Sequence, residues 1–214
     1  MLIKYHGHSE FLLESADGCK ILTDPYDAHV GYPMKNVQAD VVTVSHGHGD
    51  HAYTQKVISC GMTVTETGTF RVSPTCTVTG CPSFHDENGG ADRGKNIVYI
   101  FSIDGLRIAH LGDLGHIPDE TLYASLSDID ILLIPVGGFY TIDAVKAAEI
   151  VRKVSPKVTI PMHYKTGVNE AWPIGNEKSF LKEMSAENAP ELALMRVTKA
   201  DISCFPAVLT LKID

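Results

Sequence analysis

Residues 43–51, with the sequence TVSHGHGDH, concentrate side chains of the kinds that bind metal ions. Four of them lie close together in the chain: His46, His48, Asp50 and His51. Neutral imidazoles and carboxylates are the ligands that zinc and its first-row neighbours prefer. Two-residue spacing at a strand edge puts two rings on one side, and the intervening glycines let the backbone turn tightly. A solvated loop that happens to be rich in histidine is the alternative, but residue types and spacing together predict a segment that supplies two ligands to each of two ions.

Several apolar runs end at a polar residue of a metal-binding type, and these runs are expected to position the candidate ligands. The residues concerned are Asp24 after KILT, His46 after DVVTVS, Asp113 after LRIAHLG and His163 after KVTIPM. Each run reads as a strand, and binding sites are usually built on the strand ends and loops of a rigid scaffold. We therefore expect the ends of several strands to meet at the site.

The pattern of strands and helices changes along the chain. In the first half, EFLLES, KILTD, DVVTVSH, MTVTETGTFRV and CTVTGC read as strands separated by turn residues. NIVYIFSIDGLRIAHLGD predicts a hairpin that turns at Asp104-Gly105. In the second half, DIDILLIPVGG and KVTIPMHY read as buried strands, NEKSFLKEMSA as a helix, and TIDAVKAAEIVRKVSP as a helix capped by Thr141 and stopped by Pro156. This order predicts an α/β fold in which two sheets pack together with helices outside.

Composition limits the class of protein. The 214 residues, of which 44% are hydrophobic, suit a single domain spanning residues 1–214, or two fused halves that share a core. A net charge of −8 argues against nucleic acid or an anionic membrane as a partner, and no stretch approaches the ~18 apolar residues of a membrane span. Five cysteines without a CxxC pair, and a start without a signal-peptide pattern, predict a reduced, cytoplasmic protein. The oligomeric state stays open.

The segment HGHGDH resembles the HxHxDH signature of the metallo-β-lactamase superfamily, and further motifs of that superfamily follow in order. Asp24 resembles the aspartate of its first motif, and His85 in PSFHDENGG the histidine of its third. Asp113 in HLGDLGH resembles its metal-bridging aspartate, and His163 in IPMHY its final histidine. The resemblance implies an αββα sandwich, with two mixed sheets, helices outside and the site at one edge between the sheets.

The resemblance also implies a ligand set for two divalent ions. His46, His48 and His85 would hold one ion, Asp50, His51 and His163 the other, and Asp113 would lie between them. Asp50 and Asp113 would thus belong to the catalytic centre, where two ions share an activated hydroxide. Zinc is the first expectation, with manganese, iron or nickel as alternatives. Three protein ligands per ion and a shared carboxylate leave room for water and substrate, whereas structural zinc sites are closed and usually rich in cysteine.

Six residues are predicted to lie behind the ligands or to contact substrate: Asp24, His8, His116, Arg93, Tyr140 and Tyr164. Asp24 is expected to orient a ligand such as His48, or the HGHGDH loop, through a hydrogen bond. The GHS around His8 resembles the superfamily branch of sugar-phosphate lactonases, where this position approaches the site, but an ordinary strand histidine remains an alternative.

The remaining candidates are ambiguous from sequence alone. Arg93 or Lys165 could hold a phosphate or carboxylate, although either could be plain surface charge. His6 and His110 read as structural. His29 reads as a loop residue, and Trp172 either lines the cleft or packs.

The predicted function is hydrolysis of a small ester, lactone or phosphodiester. Two dications with Asp50, Asp113 and a hydroxide sum to about +1 inside a chain of net charge −8, so a small anionic substrate is expected, and long nucleic acids are not. One alternative is a di-iron redox protein using the same ligands, which oxygen consumption would reveal. Another is a non-catalytic metal-binding protein, which would show no turnover.

Overall fold

A computed structural model describes all 214 residues and contains two six-stranded sheets and two small two-stranded ones. In chain order the strands are β1 (Leu2–Gly7), β2 (Glu10–Glu14), β3 (Lys20–Thr23), β4 (Val37–Gln38), β5 (Val41–Thr43), β6 (Val57–Ile58), β7 (Met62–Val64), β8 (Gly68–Ser73), β9 (Cys76–Phe84), β10 (Lys95–Ile103), β11 (Leu106–His110), β12 (Ile131–Pro135), β13 (Val158–Met162), β14 (Glu191–Leu192), β15 (Met195–Arg196) and β16 (Thr210–Leu211). The α-helices are α1 (Glu120–Ser125), α2 (Ala144–Val154) and α3 (Lys178–Glu183). Single 3-10 turns cover Ala28–Val30, Thr54–Lys56 and Ile202–Cys204.

Both large sheets are mixed, as the sequence predicts. The first has the order β15-β1-β2-β3-β5-β7, antiparallel from β15 to β3 and parallel from β3 to β7. The second has the order β13-β12-β11-β10-β9-β8, antiparallel from β8 to β11 and parallel from β11 to β13. Strands β4 and β6 form one small pair, and β14 and β16 the other.

One apolar core joins the two large sheets. It contains 46 buried residues, with Ile21 and Val41 from the first sheet and Val78 and Phe101 from the second. Because strand side chains alternate between faces, the neighbouring Leu22 on β3 points to the other face, into a smaller cluster that β4 and the segment after it help to form. Helix α1 contacts β9, and α2 contacts β12 and α3. The α-helices therefore accompany the second sheet. None of them has the length and apolarity needed to cross a membrane.

Two local predictions differ from the structure. MTVTETGTFRV is not one strand, because it divides into β7 in the first sheet and β8 in the second. Helix α2 begins at Ala144 rather than near Thr141, because the Asp143 carboxylate accepts a hydrogen bond from the Lys146 N–H (2.9 Å) and caps the first turn. The hairpin turn is confirmed, since Asp104 and Gly105 have φ values of 52° and 78°, as a type I′ turn requires.

Strand ends from both sheets meet at one edge of the sandwich. His8 follows β1 in the first sheet, His163 follows β13 in the second, and the His163 N–H donates to the His8 carbonyl (2.8 Å). His8, His163 and Asp24 have φ values of 55°, 51° and 39°, in the left-handed region that non-glycine residues rarely adopt. Such backbone strain persists only where surrounding structure enforces it, and it concentrates at functional sites.

Candidate metal centre

Three groups of ligand-type side chains lie at this edge; one of them, His46, His51 and Asp113, overlaps the other two, which share no residue. The first group, called here the outer cluster, consists of His46, His48 and His85. The second, the inner cluster, consists of His8, Asp50, His51 and His163. Within each cluster one ligand atom from every residue lies within 4.8 Å of the others. The fold thus gathers the predicted ligands in the predicted division, and it adds His8 to the inner cluster.

Asp113 lies between the two clusters. Its Oδ2 is 3.3 Å from His85 Nε2 in the outer cluster and 3.3 Å from His163 Nε2 in the inner one. Its Oδ1 is 3.2 Å from His51 Nε2 but has no hydrogen-bond partner, although the residue is only 2% exposed. Burial alone would raise the pKa of this carboxyl, but His163 and His51 hold the pKa well below its ordinary value. A single ionised carboxylate therefore faces both clusters.

Asp24 fixes the proton position on His51. The fully buried Asp24 carboxylate accepts from His51 Nδ1–H through Oδ2 (2.9 Å). With Nδ1–H held by Asp24, the proton that His51 would release on binding a metal is the one on Nε2, which would leave the Nε2 lone pair directed at the inner cluster. Metal-binding histidines are commonly oriented by such a carboxylate.

Asp24 acts on the outer cluster through Ser45. The Ser45 hydroxyl donates to Asp24 Oδ2 (2.6 Å) and lies 3.0 Å from His46 Nδ1. Because the hydroxyl already donates its only hydrogen to Asp24, it can only accept a hydrogen bond from His46 Nδ1–H. His46 then has a lone pair on Nε2. The Ser45 N–H also donates to Asp24 Oδ1 (2.8 Å). Asp24 thus orients His51 and His46 rather than His48, which corrects that part of the sequence prediction.

Burial keeps most of these imidazoles neutral. It lowers the pKa of His8 to about 4 and that of His46 to about 3, and it lowers the pKa of His85. Burial alone would also lower the pKa of His51, but the carboxylates of Asp113 and Asp50 outweigh it and raise this pKa well above its ordinary value. Neutral imidazole is the form that binds metal.

The geometry fits divalent cations. His46 Nε2 and His48 Nδ1 are 3.0 Å apart, and His8 Nε2 and His51 Nε2 are 3.2 Å apart, so ring nitrogens converge in both clusters. The unpartnered Asp113 Oδ1 points to the same conclusion, because an orphaned buried oxygen has a cost that a cation would remove. All the donors are imidazole nitrogens and carboxylate oxygens, which suit zinc and its first-row neighbours.

The clusters open into a cavity of about 570 Å³. Beyond the cluster residues and Asp113, its lining side chains include Asp27, His29, Arg93, Tyr140 and Trp172. Arg93 and Tyr140 therefore lie where the sequence suggested, and Trp172 and His29 border the cavity too.

Of the six residues predicted to lie behind the ligands or to contact substrate, His116 and Tyr164 neither line this cavity nor form a hydrogen bond with a cluster residue. His116 accepts from the Phe84 N–H at Nε2 (3.2 Å) and donates from Nδ1 to the Ile117 carbonyl (2.9 Å), so both ring nitrogens bind backbone. These bonds disfavour contact between His116 and a substrate. His116 instead stabilises the end of β9, just before His85. Tyr164 is 7% exposed and, like Lys165, lines a different groove. Its neighbour His163 lines the metal cavity, because successive residues at a strand end point to opposite sides.

His6 and His110 have structural partners, as expected. His6 Nδ1 lies 2.8 Å from Glu10 Oε1. The buried His110 donates from Nε2 to the Ser9 carbonyl (2.8 Å) and accepts at Nδ1 from the Gly112 N–H (3.1 Å). Neither ring faces the clusters with a free nitrogen.

A buried ion pair that sequence reasoning missed secures the HGHGDH loop. Lys56 follows the loop, is 3% exposed, and pairs with the buried Glu10 in β2. Its Nζ also lies 3.5 Å from the centre of the Tyr26 ring. Burial lowers the pKa of Lys56, against the pull of Glu10. No local pattern marks this lysine, because TQK reads like an ordinary surface segment.

Comparisons with known proteins agree with this architecture. A family model described as a beta-lactamase superfamily domain matches residues 2–163. A UPF0173 metal-dependent hydrolase of Carboxydothermus hydrogenoformans is 31% identical over 204 residues, covering 81% of this chain and 87% of that protein. One from Archaeoglobus fulgidus is 34% identical over 197 residues, covering 78% and 84%.

Among solved structures, a metallo-β-lactamase superfamily protein of Thermotoga maritima, described as a Zn-dependent hydrolase, is similar throughout. It has a TM-score of 0.79 and 32% identity, and the match covers 98% of this chain and 97% of that one. Family model, relatives and fold all point the same way. The chain therefore belongs to the metallo-β-lactamase superfamily and, within it, to the family of UPF0173 metal-dependent hydrolases.

Proposed function

We propose that the protein hydrolyses a small anionic ester, lactone or phosphodiester with two divalent metal ions. One observation carries the proposal: two ligand clusters share the Asp113 carboxylate at the floor of a cavity sized for a small molecule. Catalytic metal sites keep positions open toward such a cavity, whereas structural sites are closed.

The outer cluster would hold one ion and the inner cluster the other, with Asp113 facing both. Zinc is the first candidate, and manganese, iron and nickel suit the same nitrogen and oxygen donors. When bound, the two cations would lower the pKa of the hydrolytic water and polarise the bond to be cleaved.

The chain's own residues prepare the site. Asp24 keeps protons on Nδ1 of His51 and, through Ser45, of His46, so Nε2 is the nitrogen of each ring that is left to bind an ion. Asp50 and Asp113 supply negative charge where the cations would sit. The pKa of Asp50, like that of Asp113, lies below its ordinary value despite burial, because His51 and His8 adjoin it. These contacts keep both carboxylates ionised.

Charge and volume support a small anionic substrate. Two dications with Asp50 and Asp113 leave a positive centre, in a chain whose net charge is −8. Long polyanions would meet repulsion from that surface, while a small anion can enter the cavity. We accordingly expect duplex DNA to be a poor substrate.

The test is a turnover screen of the protein loaded separately with zinc, manganese, iron and nickel. Substrates are aryl esters, lactones and aryl phosphodiesters, with duplex DNA as the polyanion control. Metal-dependent hydrolysis of a small substrate is expected. Oxygen consumption by the iron form without hydrolysis would favour a di-iron redox protein instead. Absence of turnover with every metal would favour a non-catalytic metal-binding protein.

A further inference from the structure

Arg93 is a cation in the wall of the metal cavity that no acidic side chain neutralises. No carboxylate oxygen lies within ion-pair distance of its guanidinium, and its side chain donates no hydrogen bond within the protein. It is the one lysine or arginine among the residues that line the cavity. The nearby Lys146, which shares an adjoining surface pocket with Arg93, differs because it pairs with Glu87.

A rigid loop holds the Arg93 backbone in place. The Asp86 carboxylate accepts four backbone hydrogen bonds: from Asn88 (2.8 Å), Gly90 (2.8 Å), Asp92 (3.1 Å) and Arg93 (2.8 Å). The loop is closed where the His85 N–H donates to the Gly94 carbonyl (3.0 Å). Because His85 belongs to the outer cluster, this loop fixes the position of Arg93 relative to the metal centre.

Aromatic rings hold the Arg93 side chain without using its hydrogen-bond donors. The guanidinium carbon lies 4.8 Å from the centre of the Tyr140 ring and 6.0 Å from that of Phe139. Phe139 has a φ of 61° and is 65% exposed, so this ring is kept at the rim by a strained backbone. A guanidinium supported on its face retains N–H donors at its edge, which match the paired oxygens of a carboxylate or phosphate.

A negatively charged side chain elsewhere in the cavity wall favours one orientation of an anionic ligand. Outside the clusters and Asp113, the acidic side chain of the cavity is Asp27, which accepts from the His29 N–H (2.9 Å). An anionic group is repelled by Asp27 and attracted by Arg93. Trp172 supplies an aromatic surface for the uncharged part of a ligand.

We infer that Arg93 is a specificity-determining residue that binds a carboxylate or phosphate of the substrate separate from the bond that is hydrolysed. This inference rests on the proposed hydrolase function and narrows its substrate class. The substrate then carries two features: a cleavable bond over the metal centre and a terminal oxyanion at Arg93.

The experiment compares three esters that share the 4-nitrophenyl leaving group and differ at the end of a short acyl chain. They are the butyrate with a methyl end, the hemisuccinate with a carboxylate, and the 3-phosphonopropanoate with a phosphonate. The readout is the ratio of kcat/KM for each anionic ester to that for the butyrate, after subtraction of spontaneous hydrolysis. The zinc-loaded wild type is compared with R93Q, R93K and the charge-matched control K146Q.

R93Q is expected to lower the ratio about 10- to 100-fold, the range for losing a charge-assisted hydrogen bond. R93K should recover part of it, because charge remains without the planar fork. K146Q removes the same charge close by and should change the ratio less than about twofold. The anionic ester whose ratio falls further in R93Q shows whether a carboxylate or a phosphonate is the group that Arg93 prefers. Equal losses in R93Q and K146Q, or a loss in neither, would overturn the inference even if hydrolysis is fast.

Binding separates this inference from the proposed function. Succinate and 3-phosphonopropanoate are titrated calorimetrically into zinc-loaded wild type and R93Q. If none of the esters is hydrolysed but R93Q weakens binding at least about tenfold, the hydrolase proposal fails for these esters and the anion site stands. If binding does not depend on Arg93, the anion site is overturned.

Discussion

The outer and inner clusters differ in how the fold builds and buries them. Two outer ligands come from the HGHGDH loop and the third, His85, follows β9 in the second sheet; His48 among them is exposed to solvent. The inner cluster also takes two ligands, Asp50 and His51, from the HGHGDH loop, and it adds His8 at the end of β1 and His163 at the end of β13. Its histidines are 0–1% exposed. Both metal positions therefore depend on the packing of the two sheets, and they differ in burial and in the number of strand ends that supply their ligands.

The largest effect is expected from Asp113→Ala, because Asp113 faces both clusters. The change should weaken binding of both ions by more than about 100-fold and abolish hydrolysis, since it removes a ligand rather than a supporting group. Elemental analysis after dialysis, together with turnover, measures the effect. Unchanged metal content would show that Asp113 does not lie between two ions.

Asp24→Asn should weaken both ions less, by about 10- to 100-fold, because it disturbs the proton positions on His51 and His46 without removing a ligand. Ser45→Ala is the matched control, since Ser45 contacts His46 but not His51. It should weaken the outer ion alone. Competition with a chromophoric chelator gives both affinities. Equal effects of the two substitutions on both ions would contradict the proposed route through Ser45.

His8→Gln tests whether the inner cluster has the additional member that the structure gives it. We expect about tenfold weaker binding of the inner ion and little change in the outer one. His6→Gln serves as the control, because His6 lies two residues away but contacts Glu10 instead of the cluster. If the two variants bind metal equally well, His8 is a structural strand histidine.

The difference in burial itself predicts a smaller, kinetic effect. A chelator should remove metal from the wild type in two phases, several-fold apart in rate, because the inner ion is enclosed by buried side chains from both sheets. His48→Ala should abolish or accelerate the fast phase and leave the slow phase unchanged. Stopped-flow absorbance with a colorimetric chelator resolves the phases. A slow phase that responds to His48→Ala would assign the ions the other way round.

The sequence predicts the ligands that lie in recognisable motifs. The HGHGDH ligands could be found because they are neighbours in the chain, and Asp24, His85, Asp113 and His163 because their motifs follow in order. His8 stayed ambiguous, since nothing local reveals that β1 ends beside β13.

The direction of side chains at strand ends could not be predicted from the sequence either. Tyr164 follows His163 yet points to another groove, and His116 spends both ring nitrogens on backbone groups. The run MTVTETGTFRV was not predictable as two strands. Residues that favour strands occur both in β7 and in β8, so the pattern does not mark where the chain passes from the first sheet to the second. The apolar strands were predictable because strand patterns are local, whereas the mixed pairing within each sheet followed from the resemblance to the superfamily.

Metal stoichiometry is the decisive measurement, because the proposed site holds two ions in clusters that share one carboxylate. Purified protein is stripped with chelator, reconstituted with zinc, dialysed and measured by elemental analysis against protein concentration. We expect a plateau of two zinc ions per chain, falling below one in the Asp113→Ala variant. A wild-type plateau at one ion or none would contradict the two-ion site.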